Sequence, residues 1–280
     1  MKAVVEQALY SRGSASILED GIFQNLPIVG VCDGFSAPYV EPEHPMIMYG
    51  DKSGGQKVRD CIAAHINLRS GLSEALFAAN KSIAAAHQKQ GLSLEDASSL
   101  AGATFAFAEI KEECVEIIYT GDCYALWIYK SGKAEMTLNP FWQYEKSLRV
   151  IIKELMQKYH NRHDMWLEFY PTLCQSRKIN SNKPEGYAVL NGQPAACKYF
   201  KSITLSISQL YALLLFTDGF VPFSLTENIC LLTERIATQC PLGEKSLQNI
   251  LNWTRYIQGL ETTESHENFP EASAIAVRFI

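Results

Sequence analysis

Two short apolar runs, each ending in an aspartate and a glycine, stand out in the pattern of hydrophobic and polar positions. The first covers residues 27–32 and ends at Asp33-Gly34, and the second covers residues 213–217 and ends at Asp218-Gly219. Apolar runs of this length that stop at glycine are typical of buried β-strands. Each run is therefore predicted to place one carboxylate at the end of a buried strand.

The remaining pattern divides the chain into β-rich and helical stretches. Apolar runs predict further strands at 3–10, 21–24, 102–110, 114–120, 124–129, 134–138, 187–190, 198–205 and 272–280. Apolar residues at helical spacing predict helices near 58–66, 72–86, 148–159, 226–239 and 244–260. Residues 36–55, which contain several Pro and Gly, and the polar residues 261–270 are predicted to be loops.

The order of these elements indicates the fold class. Strands come in groups separated by pairs of helices, so repeated βαβ units and a parallel doubly wound sheet are not expected. The pattern favours an α+β fold in which two packed antiparallel sheets are flanked by helices, forming an αββα sandwich. Residues 139–186 interrupt the β pattern and are predicted to be a flap-like insertion within a single domain spanning residues 1–280.

Composition narrows the possible partners. Hydrophobic residues make up 47% of the 280 residues, which is enough for a sizeable core, and the formal net charge is -5. This mild acidity argues against nucleic acid and anionic membranes as partners. We expect neither a signal peptide nor a membrane-spanning segment, because no apolar stretch has the required length. The eight cysteines are scattered without a Cys-x-x-Cys pair. These features predict reduced thiols and a cytoplasmic protein.

Acidic residues close to predicted strand ends suggest a cation site. Glu19-Asp20 precedes a predicted strand, and Asp122 follows Gly121 between two others, in addition to Asp33 and Asp218. A carboxylate near a core needs a partner, and hard divalent cations prefer such oxygen ligands. The alternative is that each Asp-Gly pair is an ordinary turn, since both residues favour turns. The six histidines show no metal-type pairing.

In this order the motifs resemble the metal-dependent Ser/Thr protein phosphatases of the protein phosphatase 2C group. The resemblance rests on short matches spread over nearly the whole chain: Glu19-Asp20, Val29 to Gly34, Gly102-Ala103-Thr104, Tyr119 to Asp122, Asn191-Gly192, Leu214 to Gly219 and Ala272 to Val277. It implies a β-sandwich flanked by helices and hydrolysis of phosphoserine and phosphothreonine in phosphoprotein substrates. It also implies two Mg or Mn ions, with residues 139–186 as the family's flap.

The resemblance also implies roles for individual residues. Asp33 and Asp218 would be the catalytic residues, with Asp33 bridging the two ions. The metal-binding set would be Glu19, Asp20, Asp33, Gly34, Asp122, Asp218 and Glu271. Alternation along a strand would turn Glu271 away from the site unless the strand end bulges. Arg12 would be the nearest substitute for the family's phosphate-binding arginine.

Several positions depart from the family pattern. Pro270 stands where the family has a metal-binding aspartate, Pro222 where a further aspartate is common, and Phe35 where eukaryotic members have histidine. Ala15 occupies the position of the phosphate-binding arginine. Two other functions therefore stay open: a weakly active or inactive pseudophosphatase that binds phosphoproteins or a regulatory partner, and a metallohydrolase of another phosphoester.

Overall fold

The computed structural model describes residues 2–66, 70–139, 142–239, 246–261 and 269–280, and in these it contains two β-sheets of five strands each. We number the strands in chain order. The first sheet has the spatial order β1 (Ala3–Ser11), β10 (Ala272–Phe279), β9 (Leu210–Phe216), β6 (Tyr124–Tyr129) and β7 (Ala134–Met136). The second has the order β2 (Gly21–Asn25), β3 (Ile28–Phe35), β4 (Gly102–Ile110), β5 (Cys114–Thr120) and β8 (Lys201–Ser206).

Neighbouring strands of both sheets pair antiparallel, and helices cover their outer faces. The helices are α1 (Gly54–Ile66), α2 (Leu72–Lys89), α3 (Trp142–Lys158), α4 (Arg162–Asn180), α5 (Ile229–Gln239) and α6 (Ser246–Glu261). Helices α1 and α2 pack on the second sheet, and α5 and α6 pack on the first. The inner faces of the two sheets share an apolar core. The predicted α+β sandwich with four layers is confirmed.

The buried strands are apolar on both faces because one face meets the other sheet and the opposite face meets helices. In β3, Val29 and Val31 join the core between the sheets, whereas Ile28 and Cys32 pack toward α1 and α2. Burying a large aliphatic side chain contributes about 1.5–3 kcal/mol, so these layers dominate stability. The two short apolar runs of the sequence form β3 and β9, which both lie in the interior of their sheets.

The stretch 139–186 holds two helices where the sequence pattern predicted one. Helix α3 begins at Trp142, six residues before the predicted start, and α4 was not expected. The pattern concealed α4 because its interior contains Pro171 and its apolar residues do not form one continuous stripe. Its only buried side chains are those of Met165, Phe169 and Ser176.

Other differences are local. The predicted strand at 187–190 is wrong, because this segment meets the sheet only at an isolated bridge between Leu190 and Ala103. The predicted loop at 261–270 lies outside the described residues except for Glu261, which ends α6, and residues 269–270. The seven cysteines among the described residues are free thiols. None of the helices described is both long and apolar enough to span a membrane.

Candidate metal centre

Three aspartates meet at one end of the sandwich. Asp33 lies near the end of β3, Asp122 follows β5, and Asp218 comes two residues after β9. Strands β3 and β5 point in the same direction because β4 lies antiparallel between them. The carboxyl ends of β3 and β5 therefore lie at the same end of the sheet. One carboxylate oxygen from each aspartate can be chosen so that all three lie within 4.8 Å of one another. We call this group the aspartate trio.

Glycines beside these aspartates are required by close packing. Gly121 has a φ of +59°, and a Cβ there would lie 2.3 Å from Cγ2 of Thr104. The hydroxyl of Thr104 donates a 2.7 Å hydrogen bond to Oδ1 of Asp122, so this tight turn fixes the carboxylate. At Gly34, a Cβ would lie 2.6 Å from the carbonyl oxygen of Glu19. The Gly-Asp and Asp-Gly pairs therefore serve to bring chain segments together.

The electrostatics of the aspartate trio favour a cation. Burial, together with the nearby carboxylates of Asp20 and Asp218, raises the pKa of Asp33 well above its usual range. The pKa of Asp218 rises for the same reasons, burial first and then the charge of Asp122. Burial also raises the pKa of Asp122, against the opposing hydrogen bond from Thr104. Because the donors are all carboxylate oxygens that repel one another, a hard divalent cation fits this group.

A fourth aspartate, Asp20, supports the trio from the start of β2. Its side chain is 5% exposed, and its Oδ2 accepts a 3.0 Å hydrogen bond from the hydroxyl of Thr217, the residue before Asp218. Burial, followed by the charge of Glu271, raises the pKa of Asp20 to about 7. Asp20 thereby connects the start of β2, in the second sheet, to the segment that follows β9 in the first sheet.

Glu271 lies on the side of Asp20, contrary to the expectation from strand alternation. Its Oε2 accepts the backbone N–H of Glu19 at 2.7 Å, and its Oε1 accepts the hydroxyl of Tyr10 at 2.5 Å. The negative charge of Glu271 also raises the pKa of Asp33, though less than burial and the charges of Asp20, Asp218 and Asp122. The expectation fails because β10 begins only at Ala272, so Glu271 precedes the regular strand. The carboxylate next to Pro270 thus joins the acidic group from its edge.

Comparison with solved structures bears on this arrangement. The manganese-bound catalytic domain of the serine/threonine phosphatase PstP superimposes with a TM-score of 0.59 at 14% identity, with 99% of both chains covered. Stp1 from Staphylococcus aureus gives 0.56 at 16% identity, over 99% of this chain and 95% of that one. PppA from Pseudomonas aeruginosa gives 0.58 at 13%, over 100% and 97%. The chain has the fold of the protein phosphatase 2C group.

This fold assignment rests on structure. No family model matches the sequence, and no curated protein sequence is significantly similar to it. With identities of 13–16%, the chain is a divergent example of the phosphatase 2C fold. The fold predicted from the resemblance is therefore confirmed, and the functional residues must be judged from their own geometry.

Glu19 and Arg12, both expected in the site, have other partners in the structure. Oε1 of Glu19 accepts hydrogen bonds from the hydroxyls of Ser36 (2.7 Å) and Ser53 (2.5 Å) and from the backbone N–H of Gly55 (3.0 Å). Glu19 thus fastens the start of α1 to the end of β3. Arg12 folds back so that its Nε donates to the carbonyl oxygen of Ala15 at 2.7 Å. Its guanidinium lines a separate cleft of about 440 Å³ that none of the trio lines.

Residues 139–186, the stretch predicted to be a flap, supply a residue that the sequence reasoning missed. Glu145, in the first turn of α3, accepts hydrogen bonds of 3.1 Å from the side-chain amide of Asn139 on both oxygens. Burial and then the charge of Asp122 raise the pKa of Glu145 to about 7. A lone glutamate in a first helical turn is common for dipole reasons, so the sequence carried no distinguishing signal.

Helix α4, in the same stretch, is also attached to the strand that carries Asp33. Arg177 of α4 donates from Nη1 to the carbonyl oxygen of Ser36 at 2.9 Å, and its guanidinium lies 4.6 Å from the ring centre of Phe35. Phe35 therefore contacts α4. Since Ser36 also bonds to Glu19, one set of contacts joins α4, the end of β3 and the start of α1.

Proposed function

We propose that this protein is a divalent metal-dependent phosphatase that hydrolyses phosphoserine and phosphothreonine in proteins. The observation that carries the proposal is the aspartate trio, which gathers three carboxylate oxygens within 4.8 Å at the strand ends of a phosphatase 2C fold. A protein that only binds partners would gain nothing from placing three mutually repelling carboxylates together. Asp20 and Glu271 add negative charge beside the trio.

The residues present suit one or two Mg or Mn ions. The ions would be held directly by the trio, Asp33, Asp122 and Asp218. Asp33 would have the central role, because the charges of Asp20, Asp218 and Asp122 all raise its pKa. Gly34 would contribute by allowing close approach of the backbone beside Asp33. Bound divalent ions lower the pKa of a coordinated water and neutralise phosphoryl oxygens during in-line attack. The chain's own part is positioning: Thr104 orients Asp122, and Thr217 orients Asp20.

A phosphoprotein-binding pseudophosphatase is the competing function, and the position of Arg12 is the observation that favours it. The expected phosphate-binding side chain is turned onto its own backbone, away from the aspartate trio. The two functions differ in whether phosphate is released, so a direct assay separates them.

The test is phosphate release from phosphothreonine, phosphoserine and phosphotyrosine peptides and from p-nitrophenyl phosphate. We expect release from the first two peptides with Mn²⁺ or Mg²⁺, and none after removal of metal with EDTA. Binding of phosphopeptides without release at any metal concentration would support the pseudophosphatase. Release from p-nitrophenyl phosphate alone would indicate a phosphoesterase of small molecules.

A further inference from the structure

Helix α3 presents an exposed arginine, Arg149, next to the segment that follows Asp218. Arg149 lies one helical turn after Glu145, so the two side chains share a face of α3. Burial raises the pKa of Asp122, Glu145 and Asp218, and in each case the charge of Arg149 opposes the rise. These three carboxylates come from β-strand ends and from the flap, so Arg149 lies where the flap meets the site.

The guanidinium of Arg149 is held by an aromatic ring. It lies 3.6 Å from the ring centre of Phe223, only five residues after Asp218. The backbone N–H groups of Phe223 and Ser224 donate to the carboxylate of Glu261 at 3.2 and 2.8 Å, which fixes this platform against α6. Stacking on a ring orients an arginine while leaving its edge N–H groups available.

A second contact fixes α3 on the same segment. Lys146, three residues before Arg149, forms a 2.6 Å ion pair with Glu227. The two cations of this helical turn thus differ. Lys146 is ion-paired, whereas among the described residues Arg149 is exposed and stacked, with no carboxylate within ion-pair distance. The charge of Arg149 acts on Asp122 and Asp218, two carboxylates whose charges divalent cations would neutralise.

From this geometry we propose that Arg149 binds the phosphate group of the substrate. This inference rests on the proposed function and replaces Arg12 by a flap residue. An arginine presents a planar fork that matches two phosphate oxygens and stays charged at all working pH values. Its ring platform, Phe223, lies five residues after Asp218, so a phosphorylated side chain that enters under α3 would meet the metal-binding carboxylates and Arg149 together.

The test uses a peptide with a non-hydrolysable phosphonate analogue of phosphothreonine and the same peptide with threonine. Affinities are measured by fluorescence anisotropy at saturating Mn²⁺ for the wild type, Arg149→Gln, Arg149→Lys and Lys146→Gln. We expect Arg149→Gln to weaken phosphonate binding by about tenfold or more, since a charge-assisted hydrogen bond is lost. Arg149→Lys should retain part of the affinity because it keeps the charge without the fork.

Lys146→Gln is the matched control, because it removes a cation and an attachment of the same helix away from the phosphate. Its phosphonate affinity should stay within about twofold of wild type, as for most exposed ion pairs. Equal changes for the phosphonate and threonine peptides in Arg149→Gln would contradict the inference. A change confined to the Mn²⁺ requirement would also contradict it, since Arg149 would then act only on the carboxylates.

The same experiment separates this inference from the proposed function. If the wild type releases no phosphate from phosphopeptides but its phosphonate affinity depends on Arg149, the phosphatase activity is wrong and the binding role holds. If the wild type releases phosphate while Arg149→Gln leaves both KM and phosphonate affinity unchanged, the phosphatase activity holds and the role of Arg149 is wrong.

Discussion

Individual side chains in the candidate site divide into the aspartates of the trio and the residues that position the acidic group. Asp33, Asp122 and Asp218 form the first group, and Thr104 and Thr217 belong to the second through hydrogen bonds to Asp122 and Asp20. The three aspartates could be found from the sequence because apolar runs, glycines and acidic residues lie next to one another. The hydrogen-bonding threonines, in contrast, are recognised only when distant segments meet.

Glu271 is the residue whose contribution departs most from the expectation. Its charge lies beside Asp20 and acts on Asp33, so a cation in the site is attracted by it even without a direct bond. We expect Glu271→Gln to raise the Mn²⁺ concentration for half-maximal phosphate release roughly three- to tenfold, because fewer negative charges surround the ion. Pro270→Ala, which alters the neighbouring residue without removing charge, should leave this concentration unchanged. An unchanged requirement in Glu271→Gln would show that Glu271 is only structural.

Among the larger elements, the sandwich and one helix of residues 139–186 could be predicted from the sequence, whereas helix α4 could not. Strands such as β3 and β4 are bounded by glycine and filled with apolar residues, so local pattern and buried environment agree. Helix α4 has few buried side chains and contains Pro171, so its formation depends on contacts with residues far away in sequence. Arg149 was missed for a related reason, since a glutamate and an arginine four residues apart are typical of any solvent-facing helix.

The attachment of α4 to β3 gives a prediction at this scale. Arg177→Ala removes the hydrogen bond to the carbonyl oxygen of Ser36, a residue that is 7% exposed, and the contact with Phe35. We expect the free energy of unfolding to fall by about 1–3 kcal/mol, because a buried carbonyl loses its partner. The measurement is chemical denaturation, with hydrogen exchange in α4 as a local probe.

Lys178→Ala is the control for this substitution. Lys178 follows Arg177 in α4, but its side chain is exposed and forms a surface ion pair of 3.6 Å with Asp96. Because such an exposed pair contributes little, the loss of Lys178 should change the free energy of unfolding by less than about 0.5 kcal/mol. Equal stability of Arg177→Ala and Lys178→Ala would mean that the contacts of Arg177 do not hold α4 against the end of β3.

For the molecule as a whole, the acidic centre links metal binding, stability and pH. An aspartate ionises near pH 4 when unfolded, whereas in the folded protein the pKa of Asp20 is raised to about 7 and the pKa values of Asp33 and Asp218 are also raised well above the usual range. Between these values the folded state holds more protons than the unfolded state. The stability contribution of these carboxylates is therefore fully present below about pH 4 and is lost as pH rises through the folded pKa values.

A bound divalent cation replaces these protons, so its stabilising effect should grow with pH. We expect Mn²⁺ to raise the Tm more at pH 7.5 than at pH 5.5, because at the lower pH it competes with protons on the carboxylates. Differential scanning fluorimetry with and without Mn²⁺ measures this difference, and Asp33→Asn should diminish it. A Tm increase of the same size at both pH values would place the cation at groups other than the aspartate trio.

The central claim is that the aspartate trio binds the metal that drives phosphoester hydrolysis. The most direct test is a Mn²⁺ titration of phosphate release from a phosphothreonine peptide by the wild type, Asp33→Asn and the exposed control Asp164→Asn. We predict saturable Mn²⁺-dependent release by the wild type and Asp164→Asn, and release lower by about a hundredfold or more in folded Asp33→Asn, as when a key electrostatic group is removed. Release by Asp33→Asn at the wild-type rate and the wild-type Mn²⁺ requirement would contradict the claim.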